Sequence, residues 1–160
     1  MIVSTKGRYA LRVMIDIAQH PDNAFTPLKE IAERQDMSEK YLEAILKILV
    51  KNELVVGLRG KKGGYQLSRD PRLITVWDVL SVTEKELSVV SCLSPGAVSC
   101  EKASECHTLP MWQEFNTLLR LYFSRFTIQD LADGAPALSP EDLLQILPGE
   151  GQVRSAERKG

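Results

Sequence analysis

All three cysteines of the 160-residue chain fall within one short stretch, SCLSPGAVSCEKASECHTLP, at residues 91–110. Seven residues separate Cys92 from Cys100, five separate Cys100 from Cys106, and His107 follows directly. The spacing contains no CxxC pair, so it matches neither a zinc ribbon nor a zinc finger with paired histidines. Thiols clustered in this way indicate metal binding, redox chemistry or nucleophilic reactivity.

Several chemistries are open for this loop from the spacing alone. Three thiolates and one further ligand can hold an iron–sulfur cluster, and the candidates for that ligand are His107, Glu101, Glu105 or a residue of a partner subunit. Zinc accepts three thiolates and an imidazole equally well, and a disulfide switch needs only two of the thiols. A nucleophile made from Cys106 and His107 is disfavoured, because adjacent side chains rarely meet in hydrogen-bonding geometry.

The composition is that of an ordinary soluble domain. Apolar residues make up 44% and charged residues 26% of the chain, and the start, MIVSTKGRYALRVM, contains no apolar run of signal-peptide length. No window reaches the roughly 18 consecutive apolar residues of a membrane-spanning helix. We therefore expect a cytoplasmic protein without membrane contact, where reducing conditions disfavour structural disulfides.

The net charge of −1 is unevenly distributed along the chain. Residues 1–70 carry 12 Lys and Arg against 9 Asp and Glu, whereas residues 71–160 carry 8 against 12. A mildly basic first half joined to an acidic second half is consistent with a polyanion-binding domain followed by a second module.

Three helices are predicted at the start of the chain. Apolar residues recur at helical spacing over about 9–19, which predicts the first helix. A second is expected over about 27–34, with Thr26 as its N-cap and a proline in its first position. A third is expected from the cap Ser38 to about residue 52. The short break between the second and third helices is typical of a helix-turn-helix.

A basic hairpin follows the third helix. Residues 54–56 and 65–67 read as strands on either side of the turn RGKKGG at 59–64. Three helices followed by a basic, glycine-tipped hairpin predict a mainly α fold with a small β-hairpin wing, which is a winged helix-turn-helix.

A long apolar helix is predicted after the cysteines. A shorter one over about 73–84, capped by Thr75, comes before them. The aromatic-rich stripe of 110–126 is too wide to be covered by one neighbouring helix, which indicates that this helix is shared with a second copy of the chain. Another short helix should run from the cap Thr127 to Gly134.

These elements predict four regions. Residues 1–84 form a DNA-binding winged helix-turn-helix, and 85–109 form the cysteine loop. Residues 110–134 form a dimerisation helix region, and 135–160 form a flexible tail with at most one small helix capped by Ser139.

Two sets of residues are candidates for DNA contact. The N-terminal residues of the second helix of a helix-turn-helix meet the major groove, which assigns Ser38, Glu39, Lys40, Tyr41 and Glu43. Glycines and basic side chains at the tip of the wing suit a phosphate chain or a narrow minor groove, which assigns Arg59, Lys61, Lys62, Gly63 and Gly64. A carboxylate near phosphates is unfavourable unless it accepts a hydrogen bond from a cytosine amino group, so Glu43 is either a specificity residue or a solvated one.

Four segments together resemble a known family. The segments are STKGRYALRVM, IAERQDMSEKYLEAILKILVKNELV, RGKKGGYQLSR and the three-cysteine loop followed by MWQEF. They resemble the iron–sulfur cluster regulators of the IscR type, whose relatives include the nitric-oxide sensor NsrR and the cysteine-metabolism regulator CymR. The resemblance covers about residues 1–133.

The resemblance implies a transcription regulator rather than an enzyme. It implies a homodimer that binds double-stranded DNA at a palindromic operator and carries an iron–sulfur cluster on Cys92, Cys100 and Cys106. Glu43 lies where IscR-like members place a carboxylate that discriminates a cytosine, and Arg59 lies where they place a wing arginine.

The loop departs from the family pattern in its spacing and in its fourth ligand. The family loop is C-x5-C-x5-C, so the first gap here is two residues longer. Leu109 stands where IscR-like members place a histidine ligand, and Arg8 stands where NsrR-like members place an aspartate ligand. We expect His107 to be the fourth ligand and [2Fe–2S] to be favoured over [4Fe–4S]. The alternative is a cluster-free thiol-redox or zinc-dependent regulator of the same fold.

Overall fold

A computed structural model of the chain describes residues 3–20, 25–60, 63–94, 96–98, 100–134 and 139–142. The helices and strands, in chain order, are α1 (Thr5–Gln19), α2 (Leu28–Gln35), α3 (Glu39–Lys51), β1 (Val55–Leu58), β2 (Gly64–Leu67), α4 (Val76–Thr83), α5 (Leu109–Arg125) and α6 (Ile128–Ala132). Short 3₁₀ turns lie at Pro71–Leu73, Ser91–Leu93 and Ala103–Glu105. The predicted mainly helical fold with a hairpin wing is confirmed.

Helix α1 begins four residues before the predicted start. The hydroxyl of Ser4 accepts a hydrogen bond from the Gly7 N–H at 3.1 Å, so Ser4 is the N-cap. The prediction was set by the first apolar residue of the stripe, and it missed this polar cap. The core-facing side is fully buried at Ala10, Val13 and Met14.

The start of α2 corrects the prediction for Thr26. Thr26 is extended rather than capping, and it exchanges backbone hydrogen bonds of 2.8 and 2.9 Å with Tyr65 of the wing. Pro27 is therefore the N-cap, without a side-chain bond, and the helix begins at Leu28. The backbone pairing with Tyr65, 39 residues further along the chain, therefore decides the conformation of Thr26 in place of its local tendency to cap a helix.

The turn between α2 and α3 has the tight geometry that was expected. Asp36 adopts a left-handed conformation with φ of 51°, and its N–H bonds back to the carbonyls of Ala32 and Glu33. Ser38 caps α3 as predicted, accepting from the Tyr41 N–H at 3.3 Å.

The wing is an antiparallel pair of strands that is tied to the helices. Val55 pairs with Leu67, and the register continues to Leu58 opposite Gly64. A Cβ on Gly64 would overlap the carbonyl oxygen of Thr26, so only glycine permits this close approach. The predicted wing residues Lys61 and Lys62 lie outside the described residues.

Helices α4 and α6 begin at one shared junction. Thr75 and Thr127 each form a capping box, and the two residues bridge each other. The Val76 N–H donates to the Phe126 carbonyl at 2.9 Å, and the Ile128 N–H donates to the Ile74 carbonyl at 2.8 Å. The junction therefore fastens the C-terminal end of α5 to the helical core.

Helices α1 and α5 differ in how deeply their residues are buried. The main core joins α1, α2, α3 and β1 with Ile74, Val79 and Ile128. Every residue of α5, in contrast, keeps part of its surface exposed in the single chain. No helix within the described ranges is long and apolar enough to cross a membrane.

The predicted flexible tail, 135–160, lies outside the described residues except for 139–142. Within that short stretch the Ser139 hydroxyl accepts from the Asp142 N–H at 3.1 Å, which is the predicted cap.

We expect Gly64→Ala to lower the free energy of unfolding by about 2–3 kcal/mol, because the added Cβ must push two backbones apart. Gly57→Ala in the facing strand is the matched control. Its Cβ would lie 3.3 Å from Cε1 of the Tyr65 ring, which can shift slightly, so we expect a change below about 1 kcal/mol. Urea unfolding followed by circular dichroism measures both. Equal losses in the two variants would contradict the role given to the Thr26 contact.

Candidate DNA-binding surface and cysteine loop

The residues predicted to meet the major groove lie together at the start of α3. The side chains of Ser38, Glu39, Lys40 and Glu43 are exposed, and Tyr41 is half-buried. The exposed positions are available to a ligand, and Tyr41 is held against the body of the domain.

Glu43 is paired with a lysine one turn further along α3. Its Oε1 lies 3.0 Å from Nζ of Lys47, and both side chains are largely exposed. A pair of this kind contributes little to stability, on the order of 0.3–0.5 kcal/mol. The pair places a positive charge beside the carboxylate on the exposed face of α3.

A groove of about 610 Å³ separates α3 from the wing. We call it the α3–wing groove, and its lining residues are Leu28, Glu43, Lys47, Val50, Lys51, Gly57, Leu58, Arg59, Gly63, Gly64 and Tyr65. Three of these carry positive charge and one carries negative charge. The groove is therefore a basic channel of open, solvent-facing shape.

Two groove residues, Lys47 and Lys51, were missed in the sequence. They follow Glu43 at intervals of four, so the three side chains share one face of α3. That spacing is visible in the sequence, but only the N-terminal residues of the helix were assigned to DNA contact.

The wing tip offers one described cation. Arg59 is exposed between β1 and the turn, and it lines the α3–wing groove. Gly64 is buried against Thr26 and Gly63 is half-buried, so both have a packing role inside the protein. Their contact with DNA stays a prediction, as it does for the other residues assigned to the wing.

The cysteine loop presents its thiols at the surface. Cys92 lies in a 3₁₀ turn and is exposed, Cys100 is exposed, and Cys106 is half-buried just before α5. All three are free thiols, and His107 beside the last one is exposed. Over the described residues, no three His, Cys, Asp or Glu side chains lie close enough together to hold a metal ion.

The donor chemistry of the loop nevertheless suits an iron–sulfur cluster. Cysteine thiolates are the protein ligands of such clusters, and three of them are present and accessible on one loop. The predicted ligands are thus placed on one segment, and the structure does not bring them into a single coordination sphere.

The neighbours of the Cys106 thiol lower its pKa. Its Sγ lies 3.4 Å from Oγ1 of Thr108. This hydrogen bond is the main cause of a lowered pKa for the Cys106 thiol, and the backbone N–H groups of Thr108 and Leu109 lower it further. The first turn of α5 therefore favours the thiolate at this position.

The loop is attached to α4 and α5 near its start. Leu87 is buried beside α4, and the Val89 N–H donates to Oδ1 of Asn116 on α5 at 3.4 Å. Across the same contact, the guanidinium of Arg120 lies over the Trp77 ring at 5.8 Å. The cysteines follow directly after this anchored segment.

Glu84 connects the end of α4 to the start of α1. Its Oε1 accepts from the Ser4 N–H at 3.1 Å and from the Ser4 hydroxyl at 2.8 Å. A Cβ on Gly7 would overlap this carboxylate, so the glycine makes room for it. The acidic group also lies at the positive N-terminal end of α1, where a negative charge is favourable.

Comparison with known proteins decides the family. The profile of the Rrf2 family, described as "Iron-dependent Transcriptional regulator", matches residues 3–134. The chain belongs to the Rrf2 family.

Two curated relatives of this Rrf2 protein carry the same name. The chain is 32% identical over 142 residues to the HTH-type transcriptional regulator IscR of Cronobacter sakazakii, covering 89% of this chain and 86% of the relative. It is 33% identical over 147 residues to the regulator of the same name from Sodalis glossinidius, covering 92% and 84%.

Solved structures agree with the fold. CymR, the global cysteine regulator of B. subtilis, matches with a TM-score of 0.67 and 32% identity, over 85% of this chain and 99% of that one. The IscR of T. potens matches with 0.65 and 33%, over 87% and 94%. The oxidised form of Staphylococcus aureus CymR matches with 0.64 and 29%, over 86% and 100%.

The relatives establish the class of function. This Rrf2 protein is a DNA-binding transcriptional regulator, similar to IscR, and the prediction that it is not an enzyme is confirmed.

We expect Lys51→Gln to weaken binding to a mixed-sequence DNA duplex and to reduce the slope of log K against log salt by about 0.9, the value for one lost phosphate contact. Lys47→Gln should weaken binding more, because it also leaves the Glu43 carboxylate without its partner. Fluorescence anisotropy over a salt series measures both.

Lys85→Gln is the control for these two variants. It removes the same charge from the far end of α4, and we expect its salt slope to stay unchanged. If the salt slope of Lys51→Gln equals that of the native protein, the α3–wing groove does not contact the DNA phosphates.

Proposed function

We propose that this Rrf2 regulator is a homodimer that binds a palindromic operator and senses iron–sulfur, redox or nitric-oxide status through an iron–sulfur cluster. The observation that carries the proposal is the position of the three free, accessible thiols. They lie on the segment that links the DNA-binding domain to a helix with an unpartnered apolar face.

Cys92, Cys100 and Cys106 would hold the cluster, and His107 would be the fourth ligand. A [2Fe–2S] cluster is favoured over [4Fe–4S] on the resemblance to IscR. When bound, such a cluster supplies a one-electron redox centre that also reacts with nitric oxide. The lowered pKa of Cys106 supports its role, because the ligand is the thiolate.

The apolar residues of α5 divide into two stripes. The inner stripe packs on α4 and the start of the cysteine loop, with Phe123 and Phe126 against Val76 and Leu80. The outer stripe, spaced at i, i+4, i+7 and i+11, comprises Met111, Phe115, Leu118 and Tyr122, and against the described residues Leu118 is half-buried and the other three are exposed. This spacing is the one that pairs two helices, so a second copy of α5 is the proposed occupant.

A two-fold axis through α5 would place two DNA-binding domains side by side. Isologous dimers repeat the same contact on each subunit, so a palindromic site matches their symmetry. The DNA contacts proposed for each subunit are Ser38, Glu39, Lys40, Tyr41, Glu43, Arg59, Lys61, Lys62, Gly63 and Gly64, together with Lys47 and Lys51.

The residues around the loop explain how its state would reach the DNA. The C-terminal end of α5 is fastened to the core by the junction of Thr75 and Thr127, whereas its N-terminal end is joined to the loop. Ordering or release of the loop would therefore change the angle of α5 about its fastened end. A dimer built on α5 would convert that change into a different spacing of its two recognition helices.

A cluster-free thiol sensor is the second candidate. Among the similar structures is an oxidised form of a CymR protein. Here Cys92 and Cys100 are exposed and separated by seven residues, so they are open to oxidants. A zinc site on the same thiols belongs to this alternative.

We expect anaerobically purified native protein to be coloured, with visible absorption and with iron and sulfide in equal amounts. Alanine at any one of Cys92, Cys100 and Cys106 should remove most of the iron, because each thiol is one of the proposed cluster ligands. His107→Ala should shift the absorption bands, and His20→Ala, in the other histidine of the chain, should leave them unchanged.

A colourless protein would exclude the cluster, and its metal content would then separate the two alternatives. Stoichiometric zinc would indicate a zinc-dependent regulator. Metal-free protein that changes DNA affinity on oxidation would indicate a thiol-redox regulator.

We expect Phe115→Glu to convert the dimer to a monomer, because the charge would be buried unpaired in the centre of the outer stripe. Leu121→Glu is the control, since Leu121 is as exposed as Phe115 but lies about a quarter turn away from the stripe. Light scattering coupled to size-exclusion chromatography measures the mass of each. A dimeric Phe115→Glu variant would place the interface elsewhere.

A further inference from the structure

A carboxylate is buried beneath the helix-turn-helix. Asp16 of α1 is only 2% exposed. Its two oxygens accept from Arg34, with Oδ1 2.9 Å from Nε and Oδ2 2.7 Å from Nη2, and Oδ1 also accepts from Nε2 of Gln35 at 2.9 Å. A buried charge is tolerated only when it is paired in this way.

The partners of Asp16 are the last two residues of α2. They come directly before the turn that leads into α3, which begins at its cap Ser38. The hydrogen bond to Asp16 raises the pKa of Arg34, which keeps the guanidinium charged. The buried carboxylate therefore fixes the end of α2 against α1, one turn away from the predicted recognition residues.

Gln35 also accepts hydrogen bonds from an exposed arginine, Arg12. Nε of Arg12 donates to Oε1 of Gln35 at 3.0 Å, and Nη2 of Arg12 donates to the Gln35 backbone carbonyl, also at 3.0 Å. The amide of Gln35 is thus used at both ends, since its nitrogen donates to Asp16 and its oxygen accepts from Arg12.

Arg12 in turn holds an aromatic pair. Its guanidinium lies over the Tyr9 ring at 5.0 Å from the centroid. The Tyr9 ring meets the ring of Tyr41 edge-on, with centroids 5.8 Å apart and an interplanar angle of 84°. Tyr41 stands in the first turn of α3, where its N–H donates to the Ser38 hydroxyl.

We propose that Arg12 is a positioning residue for DNA recognition, which sets the orientation of the N-terminal end of α3 through Tyr9 and Tyr41. The inference rests on the proposed function, in which that end of α3 meets the major groove. The side chains form one continuous path, comprising Asp16, Gln35, Arg12, Tyr9 and Tyr41, from the buried core to the DNA-reading surface. Guanidinium contacts on both sides explain why an arginine rather than another cation serves at this position.

The positioning role differs measurably from a phosphate contact. A lost phosphate contact weakens binding to every sequence and reduces the salt slope by about 0.9. A misplaced recognition helix weakens the contacts to bases, so it reduces the preference for the operator over other DNA.

Arg12→Met tests the proposal, because methionine keeps an unbranched chain and removes the guanidinium. The matched control is Arg8→Met, which removes the same charge from the same helix at a position whose guanidinium, within the described part of the chain, bonds to Thr5. The probes are a duplex selected by the native protein from a random-sequence library, and an unselected duplex of equal length. Affinities are measured by anisotropy over a salt series, and folding is checked by urea unfolding.

We expect Arg12→Met to reduce the ratio of selected to unselected affinity about tenfold, as a weakened base contact would. Its salt slope should equal that of Arg8→Met, and Arg8→Met should keep the native ratio. Gln35→Ala should reduce the ratio as well, and the double variant with Arg12→Met should lose little more, because the two residues act in one path.

Three results would overturn the inference. One is an unchanged affinity ratio for Arg12→Met, and another is additive losses for Arg12→Met and Gln35→Ala. The third is a salt slope lower than that of Arg8→Met by about one phosphate contact. The variant Tyr41→Ala distinguishes a failure of this inference from a failure of the proposed function. If Tyr41→Ala keeps the native ratio of selected to unselected affinity, the start of α3 does not take part in base recognition. If Tyr41→Ala lowers this ratio while Arg12→Met keeps it, only the positioning role of Arg12 fails.

Discussion

The backbone bridge between Thr75 and Thr127 is the constraint on which the arrangement of this molecule depends. Two extended residues pair where two helices begin, and each helix end is satisfied by its own capping box. The buried side chain of Ile128 places α6 in the same core as α1 and α3. Because α5 leads directly into this junction, its C-terminal end is fastened to the core that contains α1 and α3.

The opposite end of α5 lies away from this junction. Its first residues follow the cysteine loop, whose described contacts to α5 include one long hydrogen bond from Val89 to Asn116. Loops with few buried apolar contacts open at low free-energy cost, whereas a packed core does not. On the proposed function, this contrast between the two ends of α5 makes the cysteine loop the point at which a change of state would alter the angle of α5.

Local signals in the sequence predicted the helices well and the contacts between them poorly. The caps Ser38, Thr75 and Thr127 were predicted because a cap acts within three residues of its partner. Thr26 was assigned wrongly for the complementary reason, since its pairing with Tyr65 depends on the folded wing. The path from Asp16 to Tyr41 was not foreseen, because it joins three helices and no spacing along the chain records it.

The candidate site likewise has some features that the sequence predicts and others that depend on the fold. The start of α3 and the position of the cysteines were predictable, because each is a property of one segment. The α3–wing groove needed the fold, since it exists only where Lys51 of one element faces Arg59 of another. Whether Cys92, Cys100 and Cys106 converge is likewise a property of a loop with little regular structure, on which neither helical nor strand periodicity acts.

The buried carboxylate of Asp16 has the geometry of an orienting contact between α1 and α2. Asp16 is buried, whereas the Arg34 side chain keeps 31% of its surface exposed, and an ion pair with a buried charge is weak evidence for stability. An apolar pair would fill the same space without fixing a direction, because apolar contacts are not directional. The bidentate pair and the two ends of the Gln35 amide each impose a direction, and together they fix α2 relative to α1. On the proposal that the start of α3 reads base edges, the recognition helix needs such a fixed geometry, and this gives the carboxylate in the core a role in orientation.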